Sequence, residues 1–260
     1  MNRTLKEIIT LSFVAEAKDP VPASVEGTLL VTLLLLFNWL WLTAAGGGVA
    51  LPAAPKDLLW YLTITEIIIL STPQLHRDIQ SDIVGGRVPV FLLRPQGFLT
   101  VQLGRGIGRL AARLLFIAPI GTIATFIITG GLPHNTAGLA TGLALIPLAS
   151  LALMILLGNV GLVSAWISDS LPLYWVLSKF LYLFGGLVIP LSMYPSWFQS
   201  VAHALPFAPI LYGPGQQVLP SHEQSGLAVA VKLQLWIAIF YAISFALHSL
   251  HIKRLVRSGH

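Results

Sequence analysis

The 260-residue sequence contains no cysteine, and only 10% of its residues are charged. The absence of cysteine excludes disulfide bonds, thiolate metal sites and a cysteine nucleophile. Soluble domains carry about a quarter charged residues, so a soluble fold could not cover its surface with so few charges. Because 55% of the residues are hydrophobic and the mean hydropathy is +0.81, the sequence predicts an integral membrane protein.

The sequence also lacks the motifs of nucleotide and metal sites. It has no G-x-x-x-x-G-K-[ST] phosphate loop, and its glycine-rich run LGRGIGR has neither the lysine nor the hydroxyl residue. Its seven histidines show no ligand spacing such as H-E-x-x-H. We therefore expect no catalytic residue, no metal and no cofactor on this chain. The net charge of +5 indicates membrane topology rather than a nucleic-acid partner.

Six apolar segments are long enough to cross about 30 Å of hydrocarbon. They predict an all-α polytopic membrane protein that forms a single transmembrane domain over residues 1–260. The predicted spans cover residues 24–45, 57–73, 108–129, 137–167, 173–190 and 226–248. Small residues four apart, at Gly104/Gly108 and Gly138/Gly142, allow close helix packing, although such spacings arise easily by chance in a glycine-rich chain.

Lysine and arginine are concentrated on one side of this arrangement. Six arginines lie between the second span and the start of the third: Arg77, Arg87, Arg94, Arg105, Arg109 and Arg113. Further basic residues lie near both ends of the sequence, whereas the alternate loops offer only Lys56 and Lys232. With an even number of spans, the positive-inside rule predicts that both termini and the segment 77–113 are cytoplasmic.

The segment HRDIQSDIVGGRVPVFLLRP, residues 76–95, interrupts the apolar pattern. Ile79 and Ile83 are one turn apart, with aspartates beside them at the same spacing, which predicts a short amphipathic helix. Two glycines should end this helix, and two prolines restrict the residues before them to extended conformations. Two uses fit the segment: an elbow in the lipid headgroups, or a docking element for a cytosolic partner.

Glu66 lies near the middle of the second span. A charged carboxylate there costs about 2.5–3.5 kcal/mol on insertion scales, so it should face a cavity or a partner, or stay protonated. It is either a cation-attracting or protonatable group in a translocation path, or a neutral acid hydrogen-bonded to a neighbouring helix. Asn159 in the fourth span is a candidate for the same path or for an interhelical hydrogen bond. Lys179 in the fifth span can snorkel.

Residues 190–225, between the fifth and sixth spans, carry six prolines and several aromatic residues. Ser196 can cap a short helix that runs through His203, so we expect short helices at the outer face. The segment is either a cover over that face or a gate that closes the exit of a path. The candidate gate residues are Pro190, Tyr194, Trp197 and Phe207.

Two stretches resemble the ABC-2-type transporter permease family. The run DIVGGRVPVFLLRPQGFLTVQLGRGIGRL resembles the family's loop after the second span, which ends in LLRP. Residues 182–219, YLFGGLVIPLSMYPSWFQSVAHALPFAPILYGPGQQVL, are similar to the end of the family's fifth span and the outer segment after it. With the six-span layout, the resemblance covers nearly the whole chain. It points to a branch of paired permeases that includes exporters of toxic organic cations.

The resemblance implies a transmembrane subunit of an ATP-binding-cassette exporter in a bacterial plasma (inner) membrane. ATP and Mg would bind a separate ATPase subunit, and a second permease chain, identical or related, would complete the transporter within the lipid. Segment 1–20 would be the family's interfacial helix, although Ser12 and Glu16 interrupt its apolar face. The loop after the second span would contain the coupling helix, with contact residues Asp78, Ile79, Gly86, Arg87, Leu93, Arg94 and Pro95.

Two other functions remain open at the level of sequence. A secondary transporter could use Glu66 for proton coupling, although the sequence has neither inverted repeats nor paired broken helices. An intramembrane enzyme that acts on lipids would need a cluster of acid, base or metal-binding groups, and the carboxylates are scattered. A permease that exports a hydrophobic or amphiphilic substrate is therefore the leading prediction.

Overall fold

The computed structural model describes residues 3–92, 97–220 and 223–258. Within these ranges the chain is helical and contains no strand. Five segments of the described chain are long and apolar enough to cross a membrane: Ser24–Gly46, Pro55–Val84, Phe98–Thr129, Thr136–Ile167 and Gly226–Arg254. The prediction of an all-α, multi-pass membrane protein is therefore confirmed.

The described helices follow one another with short connections. In chain order they are α1 (Arg3–Lys18), α2 (Pro20–Gly46), α3 (Pro55–Ser71), α4 (Leu75–Val84), α5 (Val88–Leu92), α6 (Phe98–Thr129), α7 (Thr136–Ile167), α8 (Leu171–Phe184), α9 (Ser196–Ala204), α10 (Phe207–Ile210), α11 (Tyr212–Gly215) and α12 (Gly226–Ser258). Two 3-10 turns, Leu191–Met193 and Gln216–Val218, lie before α9 and after α11.

Helix α3 forms the centre of the bundle. In its most apolar stretch 83% of the residues are buried, against 17% in α2 and in α12. A helix that is apolar on all sides is stable only when protein or lipid surrounds it. Helix α3 is therefore enclosed by its neighbours, whereas α2 and α12 present most of their apolar side chains at the periphery, where lipid would cover them.

Local sequence signals explain where several helices begin and end. The Asn135 side chain accepts a hydrogen bond from the Gly138 N–H at 2.9 Å and caps α7. Gly130, with a left-handed φ of +68°, ends α6. Helix α3 stops at Ser71 because Pro73 forces Thr72 into an extended conformation. The chain then resumes as α4, so the predicted short helix after the second span is a separate element.

The bundle has two chemically different ends. One contains α1, α4 and the first half of α6, and we call it the arginine-rich end. The other contains α9 to α11 and the first turns of α3 and α7, and we call it the aromatic end. Trp60 donates to the Gly131 carbonyl at 3.2 Å there, and Asn135 donates to the Gln217 carbonyl at 2.9 Å.

Three helices differ in length from the predicted spans, and one of them, α12, runs to Ser258 rather than to residue 248. Helix α6 begins at Phe98 rather than near residue 108, since its first turns pack against α1. Helix α8 ends at Phe184, before the predicted end at residue 190. Gly186 there has a left-handed φ of +63°, and its carbonyl accepts a hydrogen bond from the Tyr61 hydroxyl. The helix therefore ends here, and the chain after it is hydrogen-bonded to α3.

Candidate functional site: a charged groove at the arginine-rich end

Helix α4 is anchored to α7 by close backbone packing. A Cβ atom at Gly161 would lie 2.7 Å from the His76 carbonyl oxygen. Only glycine at this position of α7 therefore allows α4 to pack so closely. Leu75, His76 and Ile79 are at most 2% exposed. Ile79, which the resemblance assigned to contact with an ATPase, therefore faces the bundle and seats α4 on α7.

The other side of α4 carries carboxylates that pair with arginines. Asp78 forms a salt bridge with Arg109 on α6. Asp82 is 6% exposed, lies 2.8 Å from Arg87 Nε, and accepts a hydrogen bond from Gln102. A buried carboxylate needs such partners, because its desolvation is otherwise costly. The pairs fix the orientation of α4 relative to α6.

These groups line an open cavity of about 420 Å³, which we call the charged groove. Glu16 and Asp19 at the junction of α1 and α2 form one wall, and Asp78 and Asp82 of α4 form another. The groove also contains three arginines: Arg87, Arg105 and Arg109. A surface with this many charges suits water or a polar protein partner, since hydrocarbon cannot satisfy ionised groups.

The loop after α4 brings Arg87 into the groove. Gly86 has a left-handed φ of +65°, which reverses the chain after α4. The Arg87 side chain is 56% exposed and also donates to the Ser81 hydroxyl at 2.8 Å. Pro89 is part of the short helix α5 rather than of an extended segment, because a first-turn proline loses no helical hydrogen bond. The predicted contact residues Leu93, Arg94 and Pro95 lie outside the described residues.

Arg113 is a site residue that the sequence analysis did not single out. Its Nε donates to Glu16 of α1 at 2.7 Å, and its Nη1 donates to Glu26 of α2 at 2.8 Å. The three side chains are only 15–23% exposed. Arg105, Arg109 and Arg113 recur every four residues and so share one face of α6, which is the sequence signal that could have identified it.

Glu66 is buried on α3, one turn before a second cavity that it does not itself line. It is 5% exposed, and its carboxylate accepts no hydrogen bond from the described residues. The phenol of Tyr182 on α8 is within electrostatic range of it. One turn along α3 is a cavity of about 190 Å³ between α2, α3, α6, α7 and α8, which we call the α3–α8 cavity. Its polar lining includes Glu26, Arg113 and Tyr182.

Asn159 connects α7 to α12. Its Nδ2 donates to the Phe240 carbonyl at 3.1 Å, and its Oδ1 accepts a hydrogen bond from the Ser244 hydroxyl at 2.6 Å. Both polar ends of this buried amide are thus satisfied by one neighbouring helix. The geometry favours the interhelical hydrogen bond over a place in a translocation path.

The candidate gate residues lie at the aromatic end but do not form a single cluster. Tyr194 stacks on Phe198 with ring centroids 4.7 Å apart, and Trp197 beside it is 69% exposed. Pro190 is buried next to the turn after α8, and Phe207 is buried in α10. Helix α9 runs from Ser196 to Ala204, with Ser196 as its first helical residue rather than its cap.

The fold defines a multi-pass helical membrane protein with a charged groove at one end. Residues 29–259 match the family model described as ABC-2 family transporter protein, and the chain belongs to this family. Such permeases generally pair with an ATP-binding subunit. No curated protein matches the sequence. Among the residues that the structure describes, no group of three or more histidine or acidic side chains could hold a metal ion.

Proposed function

We propose that this chain is the permease subunit of an ATP-driven exporter and that its charged groove receives the ATP-binding subunit. The observation that carries the proposal is the two-sided placement of α4. Its apolar side is anchored to α7, and its charged side opens into a groove that lipid hydrocarbon cannot fill. The sequence has no phosphate loop, so ATP and Mg belong on the partner.

We propose six membrane crossings, with α8 and residues 185–190 as the fifth. The 14 residues of α8 rise about 21 Å at 1.5 Å per residue, and the segment beyond Gly185 adds the remaining depth. Ser170, just before α8, bonds to Gln80 at the arginine-rich end, and Gly186 after it bonds to Tyr61. The basic residues favour a position of the arginine-rich end and of both termini on the cytoplasmic side of a bacterial inner membrane.

In this proposal the α3–α8 cavity belongs to the translocation path, which a second permease chain completes. Its lining combines leucine and isoleucine side chains with tyrosines and the charged pair of Glu26 and Arg113. Such a mixture suits a hydrophobic or amphiphilic substrate, because binding sites are mostly apolar with a few polar groups that fix orientation. Glu66 lies one turn deeper in the membrane than this cavity.

Replacing Arg87 with glutamate should weaken the association with the ATPase subunit about tenfold, a loss of roughly 1.4 kcal/mol. Arg87 is exposed in the groove, and a carboxylate there would face Asp82 and reverse the local charge. The permease would be co-expressed with a candidate ATP-binding-cassette subunit from its own genome. The retained ATPase would be measured after affinity purification.

Lys253→Glu is the matched control, since Lys253 is exposed on α12 at the same end but outside the groove. It should retain the ATPase subunit as the wild-type chain does. Equal retention in the Arg87→Glu and Lys253→Glu variants would exclude the groove as the docking surface.

Replacing Glu66 with glutamine should reduce ATP-driven transport of a fluorescent lipophilic cation about tenfold, as expected for loss of a functional intramembrane charge. The change keeps the side-chain shape and removes no hydrogen bond among the described residues, so thermal stability and ATPase association should persist. Transport of the lipophilic cation is measured in proteoliposomes. A neutral lipophilic dye serves as a second substrate. Glu7→Gln, at an exposed position of α1, is the control.

Two results would contradict this role of Glu66. A large loss of thermal stability in the Glu66→Gln variant would show that the Glu66 carboxyl group has a structural role. Transport driven by a proton gradient without ATP, and abolished by Glu66→Gln, would instead favour the secondary transporter.

A further inference from the structure

One side chain of α4, Gln80, holds the turn that joins α7 to α8. Its Oε1 accepts hydrogen bonds from the Ser170 N–H at 3.0 Å and from the Ser170 hydroxyl. Its Nε2 donates to Asp169 Oδ1 at 3.2 Å. The same Asp169 oxygen accepts from the N–H of Leu171, the first residue of α8. A single amide group thus connects α4 to the beginning of α8.

Gln80 adds side-chain hydrogen bonds to a turn with a strained backbone. Ser168 has a φ of +60°, a left-handed conformation that non-glycine residues rarely adopt. Ser170 is fully buried, and its hydroxyl bonds to Gln80 instead of capping α8. Without Gln80 this buried hydroxyl would lose its partner, which is costly for a buried polar group. The strained turn is therefore held in place from outside, by α4.

The first turns of α8 have few other contacts, whereas its end is fixed by the bond from Tyr61 to Gly186 and by the stacking of Phe184 on Phe198 of α9. Among the described residues of α8, only Ser178 and Leu181 are buried, and the Ser178 hydroxyl bonds within the helix, to the Tyr174 carbonyl. A second contact also comes from α4, since His76 stacks on Tyr174 with ring centroids 4.2 Å apart. Two of the contacts that hold α8 thus arise on α4.

Helix α8 also forms one wall of the α3–α8 cavity, through Tyr174, Ser178, Leu181 and Tyr182. A displacement of its first turn changes the width of that cavity. Helix α4 cannot move independently of α6, because Asp78 and Asp82 pair with α6 side chains. The α8 turn, held by hydrogen bonds to one neutral side chain rather than by a salt bridge, is the weaker connection and can be tested by substituting that side chain.

We propose that Gln80 is the positioning residue that transmits movement of α4 to α8 and so controls the width of the α3–α8 cavity. This inference rests on the proposed function, in which the ATPase subunit moves α4. It adds a specific route from the charged groove to the cavity. Gln80 acts through the turn at residues 168–170 and does not itself contact the substrate.

Replacing Gln80 with alanine should uncouple ATP hydrolysis from transport. We expect the assembled transporter to retain its ATPase subunit and at least half of its hydrolysis rate, while transport per ATP falls about tenfold. Gln234→Ala, at an exposed position of α12, is the matched control and should leave the ratio unchanged. Retention of the subunit separates this outcome from failure of the docking proposal, in which Arg87→Glu has no effect on association.

A reciprocal pair of substitutions tests the contact itself. Gln80→Glu keeps the acceptor for Ser170 but places a carboxylate against Asp169, so it should uncouple the transporter. Adding Asp169→Asn restores a donor opposite that carboxylate and should recover most of the transport per ATP. If the double variant stays as defective as Gln80→Glu, the contact does not transmit the movement.

A distance measurement follows α8 directly, and the chain suits it because it has no cysteine. Spin labels at Val176→Cys on α8 and Phe245→Cys on α12, both exposed positions, should change their separation when ATP is added. Gln80→Ala should abolish the change. The proposal is wrong if Gln80→Ala preserves both the change in distance and the transport per ATP, or if it releases the ATPase subunit.

Discussion

Replacing Gly108 with valine should detach α1 from α6 and abolish ATP-driven transport. A Cβ atom at Gly108 would lie 2.3 Å from the Ile9 carbonyl oxygen and 3.0 Å from the Phe13 nitrogen. Both are backbone atoms, so the clash can be relieved only by moving the whole of α1. Overpacking of this kind costs about 1–3 kcal/mol or more. Because α1 and its junction with α2 supply Glu16 and Asp19, the charged groove would lose a wall.

Limited trypsin digestion measures this detachment, since Lys6 and Lys18 lie on α1. Cleavage at these lysines should be faster in the Gly108→Val variant, and less of the ATPase subunit should be retained. Gly46→Ala is the control, because a Cβ at Gly46 meets nothing within 4 Å. If trypsin cleaves Gly108→Val and Gly46→Ala at the same rate, α1 does not pack on α6 at this glycine.

Replacing Gly104 should detach α1 from α6 less than replacing Gly108 does. A Cβ there would meet Leu5 Cδ1 at 2.9 Å and Ile8 Cγ2 at 3.2 Å. These are methyl groups of side chains, and they can move without displacing the helix. The order of damage should be Gly108, then Gly104, then Gly46, when each is replaced by alanine.

The glycine spacings illustrate what the sequence could and could not predict. Pairs of small residues four apart only allowed close helix packing, and in the structure both pairs lie at packing contacts. The partners were not predictable, because the spacing describes one surface and not what lies on it. Gly104 and Gly108 receive α1, whereas a Cβ at Gly142 would lie 2.9 Å from the carbonyl oxygen of Pro214, in the short helix α11.

The polar interruptions of α1 have a similar explanation. On sequence alone, Ser12 and Glu16 weaken an apolar face that was expected to lie at the membrane interface. In the structure that face packs on α6, where Ser12 lies next to Gly108 and Glu16 pairs with Arg113. A polarity pattern cannot distinguish a helix that faces lipid from one that faces a helix carrying arginines, because the arginines lie about a hundred residues away in the chain.

Helix α4 was predicted as an element, but its orientation was not. The periodicity of the isoleucines and aspartates defined two faces, and the two glycines after it marked its end. Which aspartate is buried depends on contacts with α6 and α7 that no local pattern contains. The same holds for Gln80, whose partners are in the turn between α7 and α8.

Replacing Arg113 with glutamine should lower the free energy of unfolding by about 3 kcal/mol, because it leaves two largely buried carboxylates without their cation. Glu16 and Glu26 would then repel each other across the junction of α1, α2 and α6. Thermal unfolding of the detergent-solubilised chain measures the change. Arg3→Gln is the control, since Arg3 is 94% exposed and its pair with Glu7 on the surface of α1 contributes little.

Adding Glu16→Gln and Glu26→Gln to Arg113→Gln should recover much of the lost stability. Neutral amides remove the repulsion and can bond to one another, whereas the single variant leaves both charges unpaired. Glu26→Gln alone should cost less than Arg113→Gln, because Arg113 keeps Glu16 and one of two competing carboxylates is removed. If Arg113→Gln proves as harmless as Arg3→Gln, the three helices are held by packing alone. The cluster would then be free to serve the α3–α8 cavity, which Glu26 and Arg113 also line.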